Sequence, residues 1–174
     1  MRSRLSSWLV GMFAIVVVTC LVGVQGCNVS ETQLKVIADQ AGLVAAVTWI
    51  SYDNPTDEVK SQVSDIVSII QDNAKLVTEG KTYVQVLQPL IEDYVDKNVE
   101  KQHRPLCKVG ASSLLSAIDL MFAMYPAALE TQATALEVVD CFGNGALRGL
   151  SMAADDPVMK AVQPHLQMRA SLKK

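Results

Sequence analysis

A chain of 174 residues has room for one domain and not comfortably for two. Its formal net charge is −3, and losing Arg2 and Arg4 with a leader would lower it by two, to −5. That balance argues against a nucleic-acid binder, which needs clustered Lys and Arg to displace counterions. Hydrophobic residues make up 50 % of the chain and aromatics only 5 %, so the core must come from Val, Leu, Ile, Ala and Met, a composition that suits closely packed helices.

The first 26 residues divide into three parts. A short positive start carries Arg2 and Arg4, residues 9–24 are uncharged and apolar, and the stretch ends at Val24-Gln25-Gly26-Cys27. This order is that of a secretory signal peptide. Gly23-Val24-Gln25-Gly26-Cys27 resembles the lipobox of bacterial lipoproteins, with Gln25 standing where Ser, Thr or Ala is usual. The resemblance covers residues 1–27 and implies that Cys27 receives a diacylglyceryl group and that cleavage falls after Gly26. An acyl chain such as palmitate then often joins the new amino terminus. Two or three chains anchor stably where one binds only marginally, at about 0.8 kcal/mol per buried CH₂. The competing reading is an uncleaved anchor, since about 17 apolar residues sit at the lower limit for crossing a bilayer. Asn28, unlike the Asp of inner-membrane retention signals, implies by the same resemblance an outer-membrane address facing the periplasm if the host is Gram-negative.

Beyond a tether at 27–30, a helical domain is expected over 31–163. Ser30 and Gln33 form a capping-box pattern opening a helix over 31–51. Its small residues Ala38, Gly42 and Ala46 recur every fourth position, as in membrane helix seams, but its apolar run is short, so core packing is expected. Asn54 as N-cap and Pro55 at the first helical position predict a second helix with Val59, Val63, Ile66, Ile70 and Val77 on one face, Asn73 at its edge and Gly80 as stop. Residues 82–88 have strand-like β-branching without a partner strand, so a Pro89-kinked helix is expected there. Residues 96–104 read as a fraying helix end and a solvated loop.

A fourth helix over 106–125 is apolar on most faces, with Asp119 its lone acid. A fifth over 129–151 carries Leu136, Val139, Gly143, Ala146 and Leu150 as an apolar stripe and Asp140, Asn144 and Arg148 as a polar one. Gly145 and Gly149 each cost about 1 kcal/mol within a helix relative to Ala, which close packing against a neighbour would justify. A short helix from Pro157 and a basic tail over 164–174, carrying Arg169, Lys173 and Lys174, complete the chain. The tail reads as frayed, or as a contact for anionic head groups near an anchor. The expected fold is all-α, a compact bundle of four to five helices behind a lipoprotein signal peptide.

Of four cysteines, Cys20 leaves with the leader and Cys27 is assigned to lipid. Cys107 and Cys141 remain, either as a disulfide in an oxidising compartment or as two buried thiols. Only His103 and His165 could supply imidazole, and no metal-binding, nucleophile-elbow or phosphate-loop spacing is present, so neither catalysis, a metal nor a cofactor is expected. Asp119 is expected to pair with a Lys or a hydroxyl or to face solvent. The leading functional expectation is a non-enzymatic envelope lipoprotein, an interaction or scaffolding module whose partners are the membrane, through the acyl chains, and an envelope protein. The alternatives are a phage- or prophage-encoded envelope-modifying lipoprotein acting in lysis or infection exclusion, and a helical carrier of an apolar ligand near Met121, Phe122 and Met124.

Overall fold

The computed structural model describes residues 29–77, 80–126 and 131–152. The leader, Cys27, the short helix expected from Pro157 and the basic tail lie outside these residues. Those described form an all-α bundle of five helices: α1 (Glu31–Asp53), α2 (Asp57–Asn73), α3 (Tyr83–Asn98), α4 (Arg104–Met124) and α5 (Gln132–Leu150). A single 3-10 turn, Ala74–Leu76, follows α2.

The start of α1 is the one written in the sequence. The Gln33 N–H donates to Ser30 Oγ at 3.3 Å, and the Ser30 N–H donates to Gln33 Oε1 at 2.9 Å, so each side chain satisfies an amide that the helix leaves free. Asn54 does not open the next helix. It closes α1 in the left-handed region at φ +45, a conformation Asn tolerates better than most residues, and its N–H donates to Ile50 O at 2.9 Å. Thr56 takes over as N-cap, accepting from the Val59 N–H at 3.4 Å, while Pro55 is buried in the three-residue connection.

Val59, Val63, Ile66 and Ile70 form the buried face of α2 as expected, joined by Val67, whereas Val77, expected on the same face, lies past the helix end. Its end comes earlier than Gly80. Asn73, half-buried at the margin of that face, turns its Nδ2 back to Ile69 O at 2.8 Å, and the chain tightens into the 3-10 turn. Gly80 instead supplies a positive φ of 79 in the connection to α3.

Residues 82–88 are helical. Thr82 and Gln85 make a second capping box, and the helix runs through Pro89. Pro89 and Leu90 are on the exposed side, where water can satisfy the carbonyl that lacks the Pro89 N–H. The inner face of α3, Tyr83, Leu87, Ile91 and Val95, packs on α4.

The tightest contact joins α1 to α5. Ala38, Gly42 and Ala46 of α1 are buried, as are Gly145, Ala146 and Gly149 of α5. At Gly42 a Cβ would collide with the Phe142 carbonyl oxygen, and at Gly145 with that of Asp39. The two backbones therefore touch, which accounts for glycines inside a helix. Both α1 and α4 are long and apolar enough to cross a bilayer by length and composition, but most of that stretch of α1 is buried inside the bundle. The stripe Asp140, Asn144 and Arg148 is exposed, as expected.

Candidate functional site

Cys27, the expected lipidation site, lies outside the described residues. Cys107 and Cys141 are both free thiols, so the disulfide considered between them is not formed. The reason is topological. Helices α4 and α5 scarcely meet, because each packs chiefly on another helix: α4 on α3, α5 on α1. Cys107 turns toward α2, where its thiol donates to Gln62 Oε1 at 3.4 Å, and burial pushes it up to about 11. Cys141 is half-buried, and burial, partly opposed by Lys35, raises its thiol as well.

Among the described residues Asp119 pairs with neither a lysine nor a hydroxyl. Its carboxylate accepts from the Tyr83 N–H at 2.6 Å and the Val84 N–H at 3.1 Å. Those are the first two amides of α3, and the third, of Gln85, donates to Thr82 Oγ1 at 3.1 Å. One residue from another helix thus completes the cap that Thr82 begins, and the anion sits at the positive end of the helix dipole. Beside it the Tyr83 ring stacks on Phe122, centroids 5.3 Å apart. Burial, with a smaller contribution from the Asp119 charge, pushes the Tyr83 phenol up to about 12. Phe122 and its neighbour Met121 are ordinary core residues, and Met124 is half-buried.

Charges decorate the α1–α5 seam. Arg148 Nη2 donates to Asp39 Oδ2 at 2.7 Å. Lys35 bridges Glu31, at 2.8 Å, and Glu137, and these hydrogen bonds raise its pKa. At the other end of the molecule Lys108 lies 2.8 Å from Asp96, and that hydrogen bond holds the Asp96 carboxyl below the usual range.

The cluster that sequence reading missed lies where α2 begins and α3 gives way to α4. Glu58 stands in the first turn of α2, while Glu100 and His103 belong to the turn before α4. One ligating atom from each of the three lies within 4.8 Å of the others. His103 was expected in a solvated loop, yet its side chain is only 14 % exposed. The turn fixes it: its N–H donates to Glu100 O at 2.9 Å, and its own carbonyl accepts the Cys107 N–H at 3.1 Å as α4 starts. Its Nδ1 is enclosed, has no hydrogen-bond partner among the described residues, and lies 3.7 Å from Glu58 Oε1, too far for a hydrogen bond. Gln102 Nε2 donates to Glu100 Oε2 at 3.0 Å, which steadies that carboxylate. No local motif announces this trio, because 42 and 45 positions separate Glu58 from Glu100 and His103. An open groove nearby, between Lys60, Ser64, Leu150 and Met152, ends at the last described residue.

Comparison with protein-family models, with curated proteins and with solved structures finds no match to this chain.

Proposed function

We propose that the chain is a bacterial envelope lipoprotein whose helical bundle is held at a membrane by acyl chains on Cys27 and serves as a non-enzymatic interaction or scaffolding module. The observation that carries this reading is the nearness of the lipobox-like Gly23–Cys27 to the capping box at Ser30. Three residue steps span at most about 11 Å, so the first turn of α1 would ride close to the head groups. A bundle anchored so closely presents its sides to whatever else occupies the envelope. With a formal charge near −5 once the leader is gone, the hydrocarbon anchor and not the protein surface supplies the membrane affinity.

The test is crosslinking in intact cells followed by recovery of the full chain. The same envelope protein should be captured repeatedly by the wild type and less by Cys27→Ser, which carries no acyl chains and keeps its leader. Absence of any reproducible partner, with the anchor present, would refute the scaffolding role and leave the address standing.

A further inference from the structure

We infer that Glu58, Glu100 and His103 form a binding site for a divalent transition-metal ion of the zinc type. Three observations converge. The donor atoms gather within 4.8 Å of one another, a spread that small adjustments of two exposed Glu side chains bring to the spacing of about 3.4 Å between tetrahedral ligands of bonds near 2.1 Å. His103 Nδ1 is enclosed, without a partner among the described residues, and 3.7 Å from Glu58 Oε1, so an unpartnered ring nitrogen stands where a bound ion would need one. Neither carboxylate forms an ion pair with Lys or Arg among the described residues. Lys60 pairs with Asp57 at 2.8 Å, and Arg104 turns to Val99 O at 2.8 Å and toward Asp96.

The donor chemistry selects the ion. One imidazole and two carboxylates suit zinc and its transition-metal neighbours, whereas calcium prefers six to eight oxygens. Two negative charges balance a 2+ ion, and water can complete the coordination. The site joins segments far apart in sequence, so a bound ion clips the α3–α4 turn to the first turn of α2. Its consequence is stability of that end of the bundle, independent of the lipid anchor proposed above.

Detergent-extracted full chain, stripped with EDTA, is titrated with Zn²⁺ while calorimetry reads binding and circular dichroism reads unfolding. One ion per chain is expected, with Tm rising by at least about 5 °C when free Zn²⁺ exceeds Kd a hundredfold. His103→Ala and Glu58→Gln should each weaken binding by more than about tenfold, while Cys141→Ser and His165→Ala leave it unchanged. Glu58 is exposed, so its variant retains the metal-free fold and keeps the comparison interpretable if His103→Ala unfolds. A Co²⁺ derivative should lack thiolate charge-transfer absorption. Absence of stoichiometric binding overturns the site. So does binding that survives Glu58→Gln, or that disappears on substitution of Cys141 or His165, which leaves His103 and Glu58 neighbours without a shared ion.

Discussion

Asp119 and Tyr83 are 36 positions apart, yet the Tyr83 N–H donates to Asp119 Oδ1 at 2.6 Å, so α4 caps α3. With the Val84 N–H on the other oxygen, the carboxylate holds two amides that would otherwise be stranded beside the core. Replacing Asp119 by Ala should lower stability by about 1–3 kcal/mol, the range for losing a cap and leaving partly buried donors unmet. Asp119→Asn keeps one acceptor oxygen and should lose less. Urea denaturation followed by circular dichroism checks both, and an unchanged midpoint for the Ala variant would contradict the cap.

Gly42 and Gly145 are where α1 and α5 touch backbone to backbone. A methyl group at either must push the helices apart along their whole contact. Gly42→Ala and Gly145→Ala are each expected to cost about 3 kcal/mol or more, the upper end for overpacking. Gly80→Ala meets open space and only a strained φ of 79, so its cost should stay near 1–2 kcal/mol. Thermal melts of the three variants give the order directly.

The free thiols differ in access. Cys107 is buried, its thiol pushed up to about 11, whereas Cys141 is only half-buried. With native protein at pH 8, iodoacetamide should modify Cys141 first and reach Cys107 only as the bundle opens. Peptide mapping over time reads the order. Equal rates, or a Cys107–Cys141 disulfide peptide, would contradict the placement of the two side chains.

Tyr83 sets an alkaline limit. Its folded pKa of about 12 lies above the ordinary 10.0, so the native state holds the phenolic proton more tightly than the unfolded chain does. That contribution to stability is fully present below pH 10 and is lost as pH rises through about 12. The wild type should therefore lose denaturant resistance over that window, and Tyr83→Phe should lose less. Some loss will persist in the variant, because burial also raises Tyr94 and Tyr125.

Local signals in the chain translated well into helices. The Ser30–Gln33 box, the Val59 to Ile70 stripe and the glycines of α5 each reflect a rule that acts within one helix or on one face, and each stands in the fold. Pairings between helices were not legible. Nothing beside Asp119 points to Tyr83, and nothing beside Glu58 points to His103, because those relationships arise only when α2, α3 and α4 pack. Competition for one residue caused the error at Asn54, whose ability to end α1 outweighed its ability to begin α2. A Cys107–Cys141 bridge, one of two readings of that pair, needs α4 beside α5, whereas α5 packs chiefly on α1.

Intact-mass spectrometry of the membrane-extracted protein is the most direct test of the lipid anchor. The expected species begins at Cys27, lacks residues 1–26, and is heavier than its polypeptide by a diacylglyceryl group with or without a further acyl chain. A chain that keeps residues 1–26 and carries no acyl mass would contradict it.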